Sequence, residues 1–180
     1  MSAPVPHTNV NQFDNGDLAS IWAKLSSQTP QSWSNLTYGN LGAPAVGTNI
    51  TTELNAPANT IRFFDSIRIT FVTSAVVAVR RMNLSRVYSV LGTTLGVKLS
   101  RITQVAALTY DYYFSKFAQE DAIVGTEVTG ALGFGTGQGI FSATNAAGTA
   151  QFTIKTVIAG LDAGDQISAI HASYIDVSYT

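Results

Sequence analysis

The chain contains no cysteine. Disulfides, thiolate metal ligands and cysteine nucleophiles are excluded at once. Charge is also scarce: Asp, Glu, Lys and Arg make up 12% of the residues, against about 25% in an ordinary globular chain. Histidine is limited to His7 and His171, too few for a zinc site without thiolates. No apolar run approaches the roughly 20 residues of a membrane-spanning helix. Met1–Pro6 has neither the basic start nor the apolar core of a secretory leader, and none is expected. Proline does not occur after Pro57, and no acidic residue occurs between Ser66 and Tyr110. These last two absences divide the chain into segments.

Its 180 residues suit one domain, long enough to bury about two-thirds of the unfolded chain's surface. Hydrophobic residues are 46% of the total. So few charges leave apolar surface to cover, and a large subunit interface is the expected cover. Residues 1–60 hold all five prolines among Asn, Ser, Thr and Gly. Leu18, Ile21, Trp22 and Leu25 fall on one helical face, and Asp17 stands near its start, so a short helix is expected near 17–26. The rest of 1–60 reads as an extended arm that packs on a neighbouring subunit.

Residues 61–180 read as a β domain. The clearest stretch is Gly139–Thr180. Phe152, Ile154 and Ile158 share one parity and Gln151, Thr153 and Lys155 the other, the period of a strand with one solvated face. Asn145 to Gly148 and Asp162 to Asp165 are turn signals. A final strand is expected at about 166–179. Earlier, Ile67, Ile69 and Phe71 alternate with Arg68 and Thr70, and Val76 to Val79 form an apolar run, predicting one or two strands over 61–82. Val87, Val90, Leu91, Leu95, Leu99 and Ile102 fall at helical spacing, which predicts a helical segment within 84–104 despite Gly92 and Gly96. A strand is expected at 105–114.

The chemistry of a catalytic site is missing. The glycines of 125–139 match neither the dinucleotide fingerprint nor the phosphate loop, which needs Gly-Lys. Glu120–Asp121 and the pair Asp162 and Asp165 are the only carboxylate pairs to weigh as a glycosidase dyad or weak Ca²⁺ site, and both read better as turns. His171 lies in the last strand and reads as a packed histidine rather than a base. No enzyme, metal or cofactor is expected.

The charge is segregated instead. Between Ser66 and Tyr110 stand Arg68, Arg80, Arg81, Arg86, Lys98 and Arg101. Residues 111–180 carry two basic residues and seven acidic ones. One reading is a phosphate-binding surface for nucleic acid, with Arg80, Arg81, Arg86, Lys98 and Arg101 as candidates. The other pairs these cations with the acidic third of the chain, within the subunit or across an interface.

A neutral arm before a β-rich domain, low charge, no cysteine and a strong C-terminal strand resemble the coat proteins of small non-enveloped viruses. The resemblance implies a jelly-roll-like antiparallel β-sandwich at 61–180, an extended arm at 1–60 and one or two short helices. It implies self-assembly into a capsid with copies of itself as partners, RNA or another genome inside, no membrane, and residence in virions assembled in host cytoplasm. It departs from many such coats in its arm, where Lys24 is the single basic residue. A helical rod or filament coat and a non-viral trimeric jelly-roll binding module are the alternatives.

Overall fold

A computed structural model describes residues 32–99, 102–115, 122–124, 127–131 and 140–178. The expected helix near 17–26, Arg101, Glu120–Asp121 and the glycines of 132–139 lie outside them.

The described chain is mainly β. Eleven strands form one sheet around a long strand, β3 (Thr60–Val72). Its inward residues Ile67, Ile69 and Phe71 are fully buried, as the alternation in the sequence requires. Along one side of β3 runs β11 (Gln166–Ser178), antiparallel over the full length of both strands. The final strand thus falls where the β-branched pattern places it. On its other side β3 is shared. Its first half, Thr60–Phe64, pairs with β9 (Ile140–Thr144), and its second half, Ser66–Val72, pairs with β6 (Thr109–Ser115). The sheet therefore divides at β3 into two wings. One continues through β9 to β10 (Ala150–Ala159), β4 (Arg81–Tyr88) and β5 (Thr93–Leu99). The other continues from β6 to β8 (Glu127–Ala131), the one parallel pairing, and then to β7 (Ala122–Val124). Side chains from both wings meet in one core that includes Phe64, Phe71, Met82, Leu84, Tyr112, Phe114, Ile154 and Ile170.

The C-terminal strands follow their sequence signals. Phe152, Ile154, Thr156 and Ile158 are buried on one face of β10. The Asn145–Gly148 reversal is closed by the Gly148 amide on the Asn145 carbonyl at 3.0 Å. The Asp162–Asp165 turn is closed by the Asp165 amide on the Asp162 carbonyl at 3.0 Å.

Two expectations are corrected. The described residues of 84–104 are not helical: β4 and β5 form an antiparallel hairpin, with Asn83 opposite Leu99 and Tyr88 opposite Thr93. Gly92 turns the chain at φ +65, outside helical space. The inward row of β4 is Met82, Leu84, Arg86 and Tyr88, and the arginine inside it hides the alternation. Among the described residues there is no helix. The run Val76 to Val79 is not a strand either, but an exposed loop between β3 and β4.

Residues 32–59 pack on the sheet of their own chain. The strands β1 (Ser32–Trp33) and β2 (Thr37–Asn40) pair with the outer edge of β11. Ile50 and Leu54 are fully buried, each worth about 1.5–3 kcal/mol of transfer free energy. Side chains of the sheet hold the segment's backbone: Thr156 Oγ1 accepts from the Ile50 amide at 2.8 Å, and Ser142 Oγ donates to the Leu54 carbonyl at 2.8 Å.

Candidate functional site

The loop between β3 and β4 turns on Arg80, which is 0% exposed. An arginine carries five N–H donors in a fixed plane and stays charged, so burial demands an acceptor for each. All five find one. Nε and Nη2 donate to the two oxygens of Asp165 at 2.9 and 3.0 Å. Nη1 donates to the carbonyls of Val76 and Ala78 at 2.7 and 2.9 Å, and Nη2 also to Ser74 Oγ at 3.0 Å. Asp165, equally buried, accepts further from the amides of Ser74 and Asp162, both at 2.8 Å. Burial pushes the Asp165 carboxyl up. Hydrogen bonds from Arg80 and the two amides outweigh it and hold the group below its usual range.

A second buried polar side chain organises the loop between β5 and β6. Gln104, 0% exposed, donates from Nε2 to the carbonyls of Phe71 and Leu108 at 3.1 and 2.8 Å. It accepts from the Tyr112 hydroxyl at 3.2 Å, a phenol whose ionisation burial pushes well above its ordinary range. Thr73 Oγ1 donates to the Val105 carbonyl at 2.7 Å. The two loops join through backbone bonds exchanged by Arg80 and Gln104, each 2.9 Å.

Because Arg80 and Gln104 face inward, their neighbours face outward. Val77 is 93% exposed, and Val76, Val79 and Val105 are each more than half exposed. Val79 and Val105 adjoin the Arg80–Gln104 bridge, one on each of the two loops. The result is an apolar corner on a backbone held from beneath. Arg81, the next residue, points to solvent opposite Ala159. Asp162 lies on the far side of the loop and accepts from Ser74 Oγ at 2.9 Å. Its carboxyl is held below the usual range by the Gly164 amide and then by the Ser74 hydroxyl.

The candidate cations whose side chains are described, Arg80, Arg81 and Arg86, do not converge. Arg80 is enclosed by its ion pair and cannot meet phosphate on a surface. Arg86 is buried on the inner face of β4, 5.5 Å from the ring centroid of Phe141, and burial lowers its pKa. Arg81 is exposed on the opposite face. Lys98 lies on β5 across from Leu84, and Arg101 lies outside the described residues. Arg68 reaches Asp111 at 2.7 Å, whose carboxyl is pushed up by burial but drawn down further by hydrogen bonds from Arg68 and Thr70. The pairing of basic residues with the acidic third therefore holds within the subunit for Arg80 and Arg68.

Asp162 and Asp165 do not form a catalytic or calcium pair, since the oxygens of Asp165 are occupied by Arg80 and two amides. Among the described residues, no group of three or more His, Asp or Glu could hold a metal ion, and no helix is long and apolar enough to cross a membrane. His171 is half-buried and lies parallel to the Tyr38 ring, centroids 6.1 Å apart. The apolar corner was not legible as a site, because Val76 to Val79 carry the composition of a buried strand.

No protein-family model, no curated protein and no solved structure matches the chain.

Proposed function

We propose that the chain is a structural coat protein that assembles with copies of itself into a capsid around a genome, and that its sheet is the jelly-roll-like sandwich of such subunits. The observation that carries this reading is that exposed apolar side chains occur at several separate places. One is the valine corner. A second is the β4–β5 turn, where Val90 and Leu91 are 54% and 69% exposed. It lies at the other end of the eight-residue β4, roughly 25 Å away. A third is β2 and its approach, with Leu36 and Tyr38 exposed beside the middle of β11. A closed dimer needs one self-complementary patch, whereas a shell needs several distinct contacts per subunit. A surface this poor in charge supports the same reading.

Nucleic acid, on this proposal, is met without Arg80 and Arg86, which serve the fold. Arg81 remains for it among the candidates whose side chains are described. Electron microscopy and light scattering of purified protein test the assembly: closed particles are expected, and a species no larger than a trimer at every concentration would overturn it. The ratio of absorbance at 260 to 280 nm of particles from their natural source tests the cargo, and a protein-only spectrum would remove the genome from the proposal.

A further inference from the structure

The valine corner has a definite order. The loop 74–80, with Arg81 after it, is pinned to the segment 159–162 at three points. Arg81 pairs with Ala159 at one end. The Val79 carbonyl lies against Gly160 in the middle. Ser74 bonds Asp162 at the other end. In sequence, Val76, Val77 and Val79 fall between Ser74, which bonds the Asp162 carboxylate, and Arg81; the Asp162 carboxyl is held low. Such a patch has no net charge, but its two ends are opposite.

A surface of this kind is complementary to itself. A two-fold axis through Val77 reverses the loop, so that valine meets valine and Arg81 of one copy faces Asp162 of the other, twice per contact. Opposite charges at the rim fix the register, and the apolar centre supplies the affinity. A partner uniformly acidic or basic would meet a like charge at one end.

We propose that the corner formed by Val76, Val77, Val79 and Val105, bracketed by Arg81 and Asp162, is a two-fold interface between two copies of this chain. The proposal rests on the coat-protein reading and names one of its contacts. The backbone beneath is fixed before docking by Arg80 and Gln104, so little ordering entropy is lost on association.

Sedimentation of the full chain over a range of concentrations tests the proposal. Val77→Asp should weaken the smallest subunit association by at least tenfold, the scale of a central interface residue. Because Val77 is almost wholly exposed, the variant's near-ultraviolet circular dichroism and melting as a monomer should match wild type. Arg81→Glu should weaken association similarly, and adding Asp162→Arg to it should recover most of the loss by reversing both ends of the patch. Unchanged association in Val77→Asp, or no recovery in a folded double variant, overturns the interface and leaves the coat reading standing. A wild-type chain that stays monomeric at all concentrations overturns both.

Discussion

Asp165→Asn removes one charge and almost no volume, and isolates the contribution of the buried ion pair. In the wild type the carboxylate accepts four hydrogen bonds, two from Arg80 and two from amides. An amide side chain has one oxygen. Its NH₂ group then faces donors, either the guanidinium or the amides of Ser74 and Asp162. Arg80 meanwhile stays at 0% exposure with no opposing charge. Removing one partner of a buried pair costs about 3–5 kcal/mol, because the other charge is left desolvated. For a chain of this size each kcal/mol moves the melting temperature by about 2–4 °C, so a fall of about 6–20 °C is expected. Urea denaturation at fixed protein concentration measures the free energy by linear extrapolation, with the concentration held constant because the proposed self-association would also stabilise. A loss below about 1 kcal/mol would refute the reasoning, since that is the scale of an exposed pair.

A companion variant separates stability from presentation. Replacing both partners with apolar residues, Arg80→Met with Asp165→Leu, removes the charges together, so no buried cation is left unpaired, while the amides of Ser74 and Asp162 lose their acceptor. The carbonyls of Val76 and Ala78 would then lose the guanidinium that holds them. The fold should persist while the valine loop loosens, seen as faster amide exchange over 74–79.

Three further outcomes are expected. Gly160→Ala should destabilise by more than about 1 kcal/mol in urea denaturation, because φ is +73 and the new Cβ would collide with the Val79 carbonyl. Stability should fall as pH drops: the carboxyls of Asp111 and Asp165 lie below their unfolded values, so their contribution is complete above about pH 4 and is lost as pH falls through the lower folded values; Asp165→Asn should flatten this acid limb in a pH series of melts. Deleting residues 170–180 should abolish soluble protein, because β11 borders the whole of β3; a soluble truncation with unchanged melting would contradict that.

How much of this was legible follows from where each side chain points. The strands β9, β10 and β11 read directly, because β-branched and apolar residues fill them and turn residues mark each reversal. The hairpin of β4 and β5 does not, because Arg86 occupies an inward position and Val87 an outward one. Once the alternation is broken, valines and leucines three and four apart imitate a helix. The Val76–Val79 loop inverts the rule: the apolar residues are outside and the charged one, Arg80, is inside. Residues 32–59 resemble a detached arm because prolines and polar residues dominate them, although Ile50, Leu54 and Ala56 fill the core. Sequence cannot show that their backbone is bonded by Thr156, Ser142 and Thr144, which lie about a hundred residues away.

The charge segregation has a physical resolution in the fold. A stretch with six cations and no anion reads naturally as a surface for a polyanion. In the folded chain, three arginines reach far along the sequence for their carboxylates: Arg62 to Asp176, Arg68 to Asp111 and Arg80 to Asp165, separated by 114, 43 and 85 residues. Each pair joins the first half of the chain to the acidic third. Arg62 grips Asp176 with two bonds of 2.8 Å while its guanidinium lies 3.9 Å above the Tyr174 ring, tying β3 to β11. Like charges grouped along the chain cannot satisfy one another locally, so their pairs form only when distant strands register. The segregation thus favours the long-range pairing of β3 and its neighbours over local alternatives. A nucleic-acid contact, if particles carry one, draws on the charges left over from that task, with Arg81 foremost among those on the described surface.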